Sequence, residues 1–164
     1  MGVPSRNRLL GAMSATDRTS LQARLEPVTL DLRMVLEAVG QPISHVYFVE
    51  TGMVSIVAQS PYDRRIEVGL AGHEGMTGVP VILGDDRSSR ESMVQGVGTG
   101  WRLPADDLRK LMETRPKLRR VLLRYAHAFM EQTSQTALSN GRANLEERLS
   151  RWLLMAQDRT ASTS

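Results

Sequence analysis

Val46-Tyr47-Phe48-Val49-Glu50-Thr51-Gly52-Met53-Val54-Ser55-Ile56-Val57 is the stretch that decides the fold class of this chain. β-branched and aromatic residues crowd both of its ends, and such side chains suit a pleated, half-buried surface. Glu50-Thr51-Gly52 supplies turn chemistry between them, so the stretch predicts two strands joined as a hairpin. The same texture continues outward. Short apolar runs recur at 28–32, 46–49, 53–58, 66–70, 79–83, 93–97 and 100–103. Turn residues separate them at Gly40-Gln41-Pro42, Ser60-Pro61-Tyr62-Asp63, 72–78 and Gly84-Asp85-Asp86. Many short strands at such spacing predict an antiparallel roll or sandwich over about residues 28–103.

Helical periods flank this β region. Before it, Leu9, Leu10, Met13, Leu21 and Leu25 fall at helix-compatible spacing, and Ser14 and Asp17 suit helix starts or the break between two short helices. After Pro104, Asp106 and Asp107 fit a first helical turn, where carboxylates face the positive end of the dipole. Leu108, Leu111 and Met112 share a face of that helix, and Pro116 can open the next one. From there Leu118, Leu122, Tyr125, Phe129, Gln132 and Thr136 step by fours and threes, the cadence of a seam that faces a partner helix. A helix over 116–139 would be roughly 36 Å long, more than one small roll needs. Val121, Leu123, Ala126, Ala128 and Met130 widen its apolar surface, so one side is expected on the roll and the other on a second copy. Asn140-Gly141 is expected to end the helix, with Asn144 capping a last one that carries Leu145, Leu149, Trp152, Leu153 and Ala156. The organisation is thus one domain over 1–139 and an appendage over 140–164, ending in a frayed polar tail.

At 164 residues, with 41% hydrophobic and 24% charged side chains, the chain is of ordinary globular composition. It has no cysteine, which excludes disulfides, thiolate-ligated zinc and a cysteine nucleophile. No apolar run approaches the roughly 20 residues of a membrane helix, and the first 25 residues hold no signal-peptide core, so a cytoplasmic protein without membrane contact is expected. Net charge is +3, and the cations Arg109, Lys110, Arg115, Lys117, Arg119, Arg120 and Arg124 are interleaved with apolar residues, as on a solvated helix face. His45, His73 and His127 lack metal-ligand spacing, and neither a nucleophile elbow nor a useful carboxylate pair is present. No metal site and no enzymatic activity are expected.

Three motifs in order carry a family resemblance. The 46–55 stretch resembles the strand–Gly–strand element of the Crp/Fnr superfamily. Glu67-Val68-Gly69-Leu70-Ala71-Gly72-His73-Glu74-Gly75-Met76-Thr77-Gly78 is similar to the run entering that family's ligand loop. Residues 146–159, with Arg151-Trp152-Leu153-Leu154, resemble the helix that leads into the winged helix-turn-helix of full-length members. The likeness spans about residues 7–159. It implies an α+β fold: a jelly-roll-like antiparallel β-roll (a double-stranded β-helix) between short N-terminal helices and a long C-terminal dimerisation helix. It implies the sensor and dimerisation part of a bacterial transcription regulator, a homodimer whose effector biases how the roll sits on the long helix. DNA would be met only through a domain absent from this chain. A stand-alone module that heterodimerises with full-length regulators is the alternative.

The resemblance also points to a site. Relatives that bind cyclic AMP take the ribose hydroxyl with a Glu after a Gly, and the cyclic phosphate with an Arg-Ser pair further on. The matching glycine here is Gly78, which puts Val79 where that carboxylate should be, while Arg87-Ser88 or Arg90 can stand at the phosphate. Thr133-Ser134 matches a pair that reaches the base. A cyclic nucleotide or another small anion is the implied effector. Without the carboxylate, the usual cyclic AMP recognition would forgo a charge-assisted bond of about 1.5–3 kcal/mol.

Overall fold

The computed structural model describes residues 5–59, 65–142 and 145–160. The expected turn at 60–63, the Asn144 cap and the tail 161–164 lie outside the described residues. Two short helices come first, α1 (Arg8–Gly11) and α2 (Ala15–Gln22). Asn7 and Ser14 cap them, each accepting a backbone N–H, so the expected break at Ser14 is where the chain turns. Asn7 is buried and also donates to the carbonyls of Val49 and Gly75 at 2.7 Å, which ties the first helix to the roll.

The roll is two antiparallel sheets. One has the order β1 (Glu26–Leu30), β7 (Gly98–Pro104), β3 (His45–Val49). The other runs β2 (Val35–Glu37), β6 (Arg90–Gly96), β4 (Met53–Gln59), β5 (Arg65–Ala71). Their inner faces bury Leu30, Val49, Val54 and Val94. Val46, Phe48 and Leu103 meet the helices. Each such side chain removed from water contributes about 1.5–3 kcal/mol. Two short helices, α3 (Val79–Leu83) and α4 (Ala105–Thr114), cover one end, and α5 (Pro116–Arg142) and α6 (Leu145–Thr160) complete the chain. As expected, Leu108, Leu111 and Met112 are the buried face of α4. The fold class inferred from the sequence is the one observed.

Four local expectations are corrected. β3 and β4 are not a hairpin: β3 pairs with β7, and β4 with β5 and β6, so the chain changes sheets at Glu50–Gly52. The β6–β7 connection changes sheets at the same corner and stacks on it. A Cβ on Gly98 would lie 2.0 Å from the Thr51 carbonyl oxygen, and one on Gly52 2.5 Å from that of Gly96, so only glycines allow the two corners to touch. The run 79–83 is helix, not strand, because left-handed glycines bound it at Gly78 and Gly84 and Pro80 presets its first turn. β2, between Met34 and Ala38, adds a strand that the apolar runs did not mark. Asn140-Gly141 does not end α5, which continues through both to Arg142.

The largest correction concerns the seam. Leu118 and Leu122 are fully buried and Phe129 is 5% exposed, all in the chain's own core. Tyr125 packs on the same core, and Gln132 accepts the Leu70 N–H at 2.8 Å. Thr136, half-buried, spends its hydroxyl on the Gln132 carbonyl. The four-three cadence therefore marks the face that α5 lays on its own roll, since a roll offers a helix the same straight apolar groove that a second helix would.

Candidate ligand site

A cavity of about 430 Å³ opens between the second sheet, α3 and α5. Its floor is apolar, from Ile56 of β4, Met76, Val79, and Phe129 and Met130 of α5. One wall is the turn Thr77-Gly78. Gly78 has φ +84°, and a Cβ there would lie 2.3 Å from Val46 Cγ1, so the turn needs glycine twice over. The Gly78 N–H is turned inward, onto a carboxylate oxygen of Glu37 at 2.5 Å.

The lip runs from Asp85 to Arg90. Asp85 Oδ1 accepts the N–H groups of Asp86 and Arg87 at 2.7 and 3.2 Å, folding the loop on itself. Ser88 is 5% exposed; its Oγ accepts the Arg90 N–H at 3.1 Å and its carbonyl accepts that of Gly40 at 2.8 Å. Arg87 donates to the Gly40 carbonyl at 2.7 Å and has Asp86 3.7 Å from its Nε. A guanidinium carries five N–H donors, so this anchoring leaves several for a ligand. Arg90 opens β6 beside it, half-buried.

Of the residues singled out in the sequence, Gly78, Val79, Arg87, Ser88 and Arg90 line this one cavity together. Thr133 and Ser134 do not. Their hydroxyls bond back to the carbonyls of Phe129 and Met130 at 3.0 and 2.9 Å, one turn earlier on α5. The residue that sequence reasoning missed is Glu37. It lies on β2 at 5% exposure, lines the cavity, and accepts hydrogen bonds from Thr77, Gly78 and Ser92. Burial raises its pKa above the ordinary 4.5, against the opposing pull of those donors. An acid inside the short apolar run Val35-Leu36-Glu37 was the only signal, and it lacks any period.

α5 grips the same turn from behind. Tyr125 Oη donates to the Met76 carbonyl at 2.6 Å and accepts the Met76 N–H at 3.0 Å. Burial pushes this phenol well above its ordinary range. Gly75 makes room for the ring, since a Cβ there would lie 2.5 Å from the hydroxyl. The cavity wall and the long helix are thus bonded two residues before Gly78.

A cyclic nucleotide-binding domain model matches residues 34–115, half of the chain. No curated protein matches the chain in sequence. Among solved structures, CLP of Xanthomonas campestris, described as a c-di-GMP-responsive global regulator, is 18% identical with a TM-score of 0.72, covering 92% of this chain and 76% of its own. A putative Crp/Fnr-family transcriptional regulator of Eubacterium rectale is 11% identical with a TM-score of 0.77, over 93% and 72%. The N-terminal domain of a Streptomyces coelicolor transcriptional regulator is 24% identical with a TM-score of 0.57, over 79% and 93%. With its cavity, its roll and the matched model in agreement, the chain belongs to the cyclic nucleotide-binding domain family and has the fold of Crp/Fnr regulators.

Proposed function

We propose that this chain is the non-catalytic, cytoplasmic effector and dimerisation domain of a Crp/Fnr-type transcription regulator. The observation that carries the reading is the cavity itself. It joins arginines at its lip to a carboxylate on its inner wall, over an apolar floor contributed partly by α5. An effector with an anionic group would meet Arg87 and Arg90, whose planar forks match phosphate oxygens. Glu37 can accept from a hydroxyl or N–H of the same molecule, because a carboxylate has about four acceptor sites and only three are used. With Val79 in place of the family's usual carboxylate, Glu37 makes the recognition of a sugar differ from that of cyclic AMP relatives. A ligand that moves the Thr77-Gly78 turn would act on α5 through Tyr125, shifting the population of helix positions.

Dimerisation is assigned to the other side of α5. Leu123, His127, Met130, Ser134 and Ala137 also step by four and three, and all are exposed in the single chain. Met130 is 53% exposed and lines the cavity as well, so a second copy on this face would border the ligand.

Calorimetry with cyclic AMP, cyclic GMP and c-di-GMP tests the ligand reading. Arg87→Ala with Arg90→Ala is expected to weaken whichever of these binds by at least about tenfold. Undiminished affinity in the double variant, or no heat with any of the three at millimolar concentration, overturns it.

A further inference from the structure

α6 lies back against the roll, and two polar contacts help to hold it there. The Trp152 indole donates to Glu67, which also takes the Ser55 hydroxyl at 2.5 Å. Two turns on, Arg159 Nε lies 2.7 Å from Glu74 Oε1, with the arginine side chain only 10% exposed. The fit at that end is close: a Cβ on Gly72 would lie 2.7 Å from Arg159 Cγ. Trp152 and Arg159 are seven residues apart and therefore share one helix face. The leucines of α6 look elsewhere. Leu145, Leu149, Leu153 and Leu154 are between 52% and 77% exposed, while Met155 and Ala156 lie half-buried beside Trp152 on the docked face.

The ion pair is also imperfect. Glu74 Oε2 and Arg159 Nε are buried without a hydrogen-bond partner, so the contact is electrostatic attraction without good alignment. In such a pair desolvation offsets much of the attraction. None of the described side chains of α6 is fully buried, and segments without a fully buried core open at low cost. Glu74, moreover, lies two residues before Met76, which Tyr125 holds, and four before Gly78 in the cavity wall.

We propose that α6 is a releasable strap, fastened to the roll by Glu74–Arg159 and Glu67–Trp152, whose anchor Glu74 belongs to the same 72–78 loop as the cavity wall. The fastening stands without the effector reading; only its response to an effector rests on that reading. Displacing the loop moves Glu74 away from Arg159, and α6 then detaches from the roll, while Arg151 keeps its bond to the Gln135 carbonyl of α5 at 2.6 Å.

The test uses the whole chain and no ligand. With Trp101→Phe as parent, Trp152 is the sole tryptophan and reports on α6. Arg159→Gln and Glu74→Gln are each expected to red-shift its emission and to speed amide exchange across 145–160 by about tenfold, leaving β3 and β7 protected. The charge-swapped pair Glu74→Arg with Arg159→Glu is expected to return both readings toward the parent. Single variants indistinguishable from the parent, or a swapped pair no better than either single change, would overturn the proposal.

Discussion

Glu37 is buried among neutral donors, and among the described residues no ion pair includes it. Because burial raises its pKa, the native state holds this proton more tightly than the unfolded chain does. Its contribution to stability is therefore fully present below 4.5 and is lost as pH rises through the native value. Glu67, raised for the same reason, has the same sign. Glu37→Gln keeps an acceptor for the Gly78 N–H and removes the charge. In urea melts from about pH 4 to 7, the parent is expected to lose stability relative to this variant as pH rises. A difference that stays flat would show a solvated carboxylate. Gly98 makes a second residue-scale case. Its missing Cβ is replaced by the Thr51 backbone at 2.0 and 2.4 Å, which cannot rotate away. Gly98→Ala should cost about 1–3 kcal/mol or more in chemical denaturation. Gly11→Ala, with nothing within 4 Å, should cost far less.

At the scale of the element, α5 is one helix with two apolar records. Its buried record, Leu118, Leu122 and Phe129, closes the core, so Leu122→Ala should cost about 2–5 kcal/mol and Leu122→Glu should unfold the chain. Its exposed record behaves otherwise. Met130→Glu should change the stability of the single chain by less than about 0.5 kcal/mol. Denaturant midpoints for the pair, measured at concentrations where the parent is monomeric, check both, and comparable losses at Leu122 and Met130 would mean that the two faces are misassigned. The cadence alone could not rank them, because hydrophobic spacing says that a face is covered and not by what. β3 and β4 repeat the lesson. Their residues are those of strands, as expected, yet the Gly52 corner sends them into different sheets, and strand pairing is a long-range choice that local propensity does not encode.

For the whole molecule, the exposed stripe of α5 predicts an association that the buried stripe does not. Leu123→Glu with Met130→Glu is expected to sediment as a folded monomer while the parent sediments as a dimer. A parent that is monomeric at tens of micromolar, or a variant that remains dimeric, removes this face from the interface. In the proposed function, ligand and dimer would be linked through one side chain, since Met130 belongs to the exposed stripe and lines the cavity. Of the cations between Arg109 and Arg124, Lys110, Lys117, Arg119, Arg120 and Arg124 are exposed as on a solvated face, whereas Arg109 and Arg115 are half-buried and pair with Asp106 and Asp17.

Recurring β-rich runs, turn glycines and the switch to helical spacing after Pro104 were enough to expect an antiparallel roll or sandwich with a long helix, because both periods are local properties of the backbone; the choice of a roll came with the family resemblance. Gly78, Val79, Arg87, Ser88 and Arg90 were named through the resemblance to cyclic-AMP-binding relatives, and they meet in one cavity because a short loop keeps them close in space. Glu37, the grip of Tyr125 on Met76 and the fastening of α6 at Glu74 join residues 41, 49 and 85 positions apart. Only the closed roll brings those pairs together, because burial and contact at such separations are decided by packing, on which one-dimensional spacing is silent.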